Sequence, residues 1–254
     1  MGVLRVWYPA LVGIKAGTNV LVAGGTGIVG SGTVISLLKQ GAKVLVATRS
    51  LDKFCVLHDV VSDDVKANLS VVEGDLSTYD GVKRVFKKAS TGEHSVNHVV
   101  ASIGNYWQKG WLTEQTLAEF NRSQRTVVSH FLMMRTFLPY LNLREGTPTY
   151  TVVTGHAGDE YIAPKTSFLS VGSGALNSLS MAARAEFNDQ RVALNQFHIR
   201  CSVQPVPDHD LLPDPFNVGH DLIGGAIASS ISSVARGKTV INTKQDAKKM
   251  ILAQ

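Results

Sequence analysis

The sequence predicts one α/β domain with a parallel sheet covered by helices on both faces. Three observations predict it. Short aliphatic runs alternate with longer segments of helical apolar periodicity along most of the 254 residues. These runs hold several aliphatic residues in succession, as strands buried on both faces do. The first run, Val20-Leu21-Val22-Ala23, opens into glycines at 24, 27 and 30, which lead into an apolar-periodic helix over 29–39.

The order of strand, glycine turn and helix suits a dinucleotide. One glycine makes the tight turn, one lets the backbone approach a pyrophosphate, and one lets helix pack close to strand. The helix start adds unpaired N–H groups and the positive end of its dipole. Gly24, Thr26, Gly27, Ile28 and Val29 are therefore candidate cofactor contacts. The expected architecture is a single Rossmann-like, doubly wound domain over 18–254. The segment 1–17 reads as a strand or hairpin that covers one edge.

Composition excludes several classes. With 44% hydrophobic and 18% charged residues the chain is able to bury a sizeable core. The net charge of +5 comes from scattered Lys and Arg, paired only at Lys83-Arg84, Lys87-Lys88 and Lys248-Lys249. No aromatic interleaving accompanies them, which argues against nucleic acid. Arg5, Pro9 and Lys15 interrupt the N-terminal segment, so neither a signal peptide nor a membrane span is expected. Cys55 and Cys201 lack metal-ligand spacing and read as reduced thiols, which favours a cytoplasmic protein. Asp208, His209 and Asp210 have no further ligands spaced for a metal.

In chain order, Gly41 reads as a helix stop. A second strand over 43–47 ends in Thr48-Arg49-Ser50, where an acidic residue would select NAD. Here Arg49, with Thr48, Ser50 and Lys53, offers cationic and hydroxyl donors for a 2′-phosphate, which favours NADP(H). A third strand over 69–72 leads to Asp75 and Leu76; Asp75 is placed either to read an adenine amino group or to close an Asx turn. Thr78 reads as the cap of a helix with Val82, Val85 and Phe86 on its apolar face. A fourth strand over 98–101 opens into Ser102-Ile103-Gly104, followed by Tyr106, Trp107 and Trp111. A long helix is expected over 113–141, a fifth strand over 150–154, a helix over 172–187 and a sixth strand over 198–203. A helix over 222–233 and a strand over 239–242 close the chain.

In this order the motifs resemble the short-chain dehydrogenase/reductase superfamily from Thr18 onward. The glycine turn is similar to the three-residue-spaced variant of extended and atypical members. Asp75 matches the acidic residue after the third strand, and Ala101-Ser102-Ile103-Gly104 stands where Asn-Asn-Ala-Gly is usual. The stretch Phe131-Leu132-Met133-Met134-Arg135-Thr136-Phe137-Leu138-Pro139 is similar to the central interface helix. The resemblance implies a nicotinamide cofactor and a homodimer or homotetramer, with Phe131, Met133, Met134 and Phe137 on a self-associating face.

The family's working set of Asn, Ser, Tyr and Lys does not carry over. The serine position falls on Gly155, and the Tyr-x-x-x-Lys position falls within Phe168-Leu169-Ser170-Val171-Gly172-Ser173. The asparagine position falls at Thr126 or Val127, and the Pro-Gly after the sixth strand reads Pro205-Val206. The tyrosine protonates a carbonyl oxygen, so its loss disfavours ordinary ketone chemistry. An iminium ion needs no such acid, because its nitrogen becomes neutral on reduction; an activated C=N⁺ or conjugated small molecule, coupled or not to cyclisation, is therefore the expected substrate.

That pattern is similar to a small group of fungal indole-alkaloid reductases. Asp159 is the first candidate for a counter-ion, with Arg125 or Arg122 as its partner, while His156 and Tyr161 are candidate proton donors. The aromatic loop suits a flat or cationic substrate. A non-catalytic NADP(H)-binding protein and a cofactor-assisted cyclase or isomerase stay open as alternatives.

Overall fold

The computed structural model describes residues 14–104, 107–206 and 214–252; most of the N-terminal extension, Tyr106 and the Asp208-His209-Asp210 cluster lie outside them. Seven parallel strands form the central sheet. They are β1 (Asn19–Ala23), β2 (Lys43–Thr48), β3 (Leu69–Glu73), β4 (His98–Ala101), β5 (Thr149–Gly155) and β6 (Ala193–Ile199), with β9 (Gly237–Ile241) at one edge. A separate two-stranded pair joins β7 (Ser202–Gln204) to β8 (Asn217–Gly219). The main order is β3-β2-β1-β4-β5-β6-β9. The expected doubly wound α/β fold is thus observed, and β1 is its pivot. Val20 lies opposite Val44 of β2 on one side and His98 of β4 on the other. The chain runs outward in both directions from this switch point, which opens a crevice at the carboxyl ends of the strands.

Helices cover both faces. On one, α1 (Ile28–Lys39) and α7 (His220–Ser232) pack Val34, Leu37, Leu38, Ile223 and Ile227 against Val20, Val22 and Val44. On the other, α3 (Tyr79–Ala89), α5 (Arg125–Asn142) and α6 (Ser167–Glu186) cover Leu21, Leu45, Val99 and Tyr150. Thr78 caps α3 as expected, its hydroxyl accepting from the Gly81 N–H at 3.1 Å. Two further helices, α2 (Leu51–Val60) and α8 (Lys244–Leu252), complete the set with α4 (Leu117–Ser123). Among the described residues, no helix is long and apolar enough to cross a membrane.

Four expectations need correction. The long helix over 113–141 is two helices, α4 and α5, meeting at Gln124. Thr116 and Glu119 close a capping box that starts α4 at Leu117, four residues late. Secondly, α6 begins at Ser167 rather than Gly172. Gln108 makes this start possible, because its Oε1 accepts the Phe168 N–H at 2.7 Å and satisfies an end donor.

Thirdly, β6 begins at Ala193, five residues ahead of the expected strand. Its interior carries Asn195, Gln196 and His198, all buried, so no apolar run announces it. Lateral partners bind them; Thr239 Oγ1 donates to Asn195 Oδ1 at 3.1 Å, and Gln196 Nε2 donates to Asn177 Oδ1 at 3.0 Å, while Asn195 Nδ2 is left without a partner among the described residues. Finally, Met133, Met134 and Phe137 are core residues against the sheet. Of the four residues assigned to a self-associating face, only Phe131 is exposed.

Candidate active site

Two cavities, of about 640 and about 610 Å³, lie at the carboxyl ends of the strands and share Gly27, Ser102, Ile103 and Gly104. The first is polar and lies over β1–β3. The second is more apolar and lies over β5, β6 and α6.

The β1–α1 turn builds the junction. Gly24 has φ +78°, and a Cβ there would lie 2.3 Å from the Ser102 carbonyl oxygen. At Gly30 a Cβ would lie 2.2 Å from Gly24 O, whereas at Gly27 the nearest atom is 3.4 Å away. Folding thus demands glycine at 24 and 30, while Gly27 leaves its open side to the cavity. Gly27 is also the N-cap of α1, with no side-chain cap and no acidic residue in the first turn. The uncapped N–H groups and the dipole make an anion site suited to a pyrophosphate.

The polar cavity receives Gly24, Thr26, Thr48, Arg49, Ser50, Lys53, Asp75, Leu76, Ser102 and Gly104, as the sequence leads one to expect, while Ile28 and Val29 line the second cavity. Thr48 and Ser50 spend their hydroxyls on the turn itself. Thr48 Oγ1 bonds Thr26 Oγ1 at 3.2 Å, and Ser50 Oγ accepts the Lys53 N–H at 3.3 Å to cap α2. Arg49 is exposed on the cavity wall beside Lys53. Asp75 closes an Asx turn, with Oδ1 accepting from Ser77 N at 3.0 Å and Ser77 Oγ at 2.7 Å. Burial alone would raise its pKa, but the Ser77 hydrogen bonds, Arg125 and Arg49 hold the carboxyl below the usual range.

The second cavity corrects the reaction-side expectations. Leu169 and Ser173, four residues apart on α6, both line it and are both buried. They fall within the stretch 168–173, where the resemblance puts the Tyr-x-x-x-Lys position. Gly155 lines the cavity at the end of β5, and Arg200 and Cys201 follow β6 along its wall. Because β6 ends at Ile199, Arg200-Cys201 and not Pro205-Val206 is the pair after the sixth strand. Burial pushes the Cys201 thiol up to about 11, which keeps it protonated.

His156 begins a single 3₁₀ turn (His156–Gly158) directly after Gly155 and lines the cavity. Its Nε2 is hydrogen-bonded to Glu160 Oε1, and its Nδ1 lies 3.4 Å from the Arg200 carbonyl. Asp159, by contrast, is not on the cavity wall. His198 Nε2 lies 2.7 Å from Asp159 Oδ2, Asn177 Nδ2 donates to Oδ1 at 3.2 Å, and Arg200 Nε is 3.5 Å away. Burial would raise the Asp159 pKa, yet the His198 contacts, with Lys238 and Arg200, bring it below the usual range. With that carboxylate ionised, His198 donates through Nε2 and accepts the Thr154 hydroxyl at Nδ1, 2.8 Å away. The assembly latches the loop after β5 onto β6 and α6.

Arg125 is not the partner of Asp159; it ion-pairs with Asp75 on the other cavity. Arg122 is exposed on α4 and lines neither cavity. Tyr161 is 62% exposed and points away, leaving Ile162 on the wall. Trp107 lines the cavity, whereas Trp111 sits under Lys165 Nζ at 5.4 Å from its ring centroid. Sequence reasoning places Glu160 with Asp159 on the loop over the crevice but misses Arg200 and the Thr154–His198 pair. A correct end for β6 would have flagged Arg200; only the fold joins Thr154 to His198.

The switch-point crevice, glycine turn and uncapped helix start define a dinucleotide-binding, doubly wound α/β protein. The family model for short chain dehydrogenase matches residues 18–200. The chain belongs to that family, whose members are nicotinamide-dependent oxidoreductases. A short-chain dehydrogenase/reductase of Pestalotiopsis fici, iacG, is 28% identical over 183 residues, 71% of this chain and 72% of that one. A solved dehydrogenase/reductase from Sinorhizobium meliloti superposes with a TM-score of 0.75 at 14% identity, covering 92% of this chain and 97% of the other. A tyrosine-to-phenylalanine variant of ElxO with NADPH bound gives 0.72 at 16% identity, over 88% and 96%. At these identities the structures attest the fold.

Proposed function

We propose that this chain is an NADPH-dependent reductase of a small molecule whose reacting carbon is already activated, as a C=N⁺ group or a conjugated double bond. One observation carries this reading. Beside a complete dinucleotide frame, the cavity presents Leu169 and Ser173 where a ketone reductase needs its acid and its lysine. Hydride addition to a ketone creates an alkoxide that must be protonated as it forms. Addition to an iminium carbon instead neutralises a charge, and a conjugated system spreads the charge it gains.

His156, held through Nε2 by Glu160, supplies the proton that such chemistry still needs from Nδ1, which exchanges its long contact with the Arg200 carbonyl for the substrate. It converts a neutral imine to the iminium ion, or protonates the enolate after hydride transfer. Asp159 is off the wall, so no counter-ion role is assigned to it. Trp107, Ile103, Ile162 and Leu169 give an apolar, partly aromatic enclosure to the substrate body. Arg49 and Lys53 favour the 2′-phosphorylated cofactor. The outward strip of α5, with Val128 and Phe131 exposed, supports a homodimer or homotetramer, which analytical ultracentrifugation tests.

The decisive assay follows NADPH oxidation with a cyclic imine, cyclohexenone and acetophenone. Turnover of an imine or the enone without acetophenone is expected. Reduction of acetophenone at a comparable rate would overturn the proposal. Tight NADPH binding with no oxidation in any arm would favour the non-catalytic reading, and product without cofactor consumption would favour a cyclase.

A further inference from the structure

We propose that Arg125, and not Asp75, reads the base of the bound dinucleotide, so that the adenine amino group is not required. This rests on the NADPH reading above and concerns the opposite end of the cofactor from the chemistry. In the resemblance, the acidic residue after the third strand accepts a hydrogen bond from that amino group. Here the carboxylate is otherwise engaged. Its Oδ1 holds both the Ser77 N–H at 3.0 Å and the Ser77 hydroxyl at 2.7 Å, and its Oδ2 holds Arg125 Nη2 in a charge-assisted bond.

Arg125 is fixed in turn. It is the first residue of α5, reaches across to the loop after β3, and donates through Nε to Ser77 Oγ at 2.9 Å. Ser77 thereby accepts from the arginine while donating to the aspartate, and the three side chains lock into one cycle. A guanidinium has five N–H donors, and these two bonds leave three on a side chain that is 48% exposed and lines the polar cavity. The neighbouring hydroxyls have given their single hydrogens inside the protein and add no donor. Thr126 Oγ1 donates to Gly104 O at 2.8 Å, and Ser129 Oγ donates to Arg125 O at 2.8 Å.

Arg125 is therefore the side chain at this end of the cavity with free N–H donors, while three of the four lone-pair sites of Asp75 are taken. Donors read acceptors, and adenine offers ring nitrogens for them. Its amino group is a donor and is left only the remaining lone pair of Asp75 Oδ2. A hypoxanthine base, which carries a carbonyl oxygen in place of that amino group, fits the same wall at least as well. An aspartate reader predicts the reverse, since that oxygen would face a carboxylate.

The test compares NADPH with nicotinamide hypoxanthine dinucleotide phosphate, reduced, by fluorescence titration of the nicotinamide. The wild type is expected to bind the two within about threefold, or the hypoxanthine form more tightly. Arg125→Gln releases Asp75, and the hypoxanthine form is expected to weaken by about tenfold relative to NADPH, the scale of one base-edge contact. Asp75→Asn is expected to move the ratio by less than about threefold, because the arginine keeps its donors. Wild-type preference for NADPH by about tenfold or more, abolished in Asp75→Asn, would overturn the proposal. Circular dichroism of each variant separates loss of fold from loss of recognition. Failure of the wild type to bind NADPH at all would remove the cofactor reading and this inference with it; a bound NADPH with the wrong ratio removes only the inference.

Discussion

The two halves of the crevice are built by different means. The cofactor half is made largely of backbone: a glycine turn, an uncapped helix start and the carboxyl ends of β1, β2 and β3. The reaction half is made of side chains brought from β5, β6 and α6, with the loop after β5 latched by Asp159 and His198. A backbone site tolerates almost no change in its few glycines, because the conflict is steric. A side-chain site is rewritten one residue at a time while the frame persists. On the function proposed above, that asymmetry accounts for a chain that retains the dinucleotide cradle and has leucine and serine facing the reaction cavity from α6.

The sharpest way to break the comparison is at the glycines. Gly24→Val puts a β-branched residue at positive φ with its Cβ against Ser102 O, and is expected to destabilise the fold by about 3 kcal/mol or more. Gly27→Val, whose Cβ site is open to the cavity, is expected to leave the melting temperature nearly unchanged and abolish NADPH binding. Equal melting temperatures for the two variants would show that the halves do not differ as described.

On the reaction side, His156→Gln is expected to lower turnover of the active substrate by about 10²–10⁴-fold with NADPH affinity intact. The combined change Gly155→Ser, Leu169→Tyr and Ser173→Lys is expected to raise acetophenone reduction over wild type, as measured by NADPH oxidation. No gain in a folded, NADPH-binding variant would mean that α6 does not present these positions to the substrate.

Acid strains the joint between the halves. Burial pushes His130 and His98 down to about 4. His130 stays neutral and donates from Nε2 to the Ile103 carbonyl at 3.1 Å, on the wall both cavities share. The unfolded chain protonates these histidines near their ordinary pKa of 6.5, whereas the native chain does not. Stability is therefore full above that pH and falls as pH drops toward 4, by about 3 kcal/mol for each group. Thermal melts across this window check it, and His130→Gln should flatten the slope. The smallest expected effect is Arg49→Ala, which should weaken NADPH about 10-fold or more and leave NADH unchanged.

Legibility followed the same division. Strands β1, β2 and β4 are readable from aliphatic runs and β3 and β5 from their paired valines, and Arg49, Asp75 and Gly104 follow strands at short range. Strand β6 was misplaced because Asn195, Gln196 and His198 replace its apolar signal, and the error carried forward to Pro205-Val206. Arg125 and Asp159 were paired on sequence grounds, but the first belongs to the β3 side and the second to the β6 side of the crevice.

By itself the sequence determined the doubly wound sheet and the glycine turn after β1, because local pattern and strand order suffice for these. Only the tertiary structure decided that Leu169 and Ser173 face the cavity, that Arg125 closes on Asp75, and that Asp159 lies off the cavity wall. Such pairings join residues as far apart as 75 and 125, and which side chain enters a cleft depends on where its helix starts and its strand ends. Here Gln108 sets the start of α6 and a polar interior hides the start of β6, and neither leaves a periodic trace in the chain.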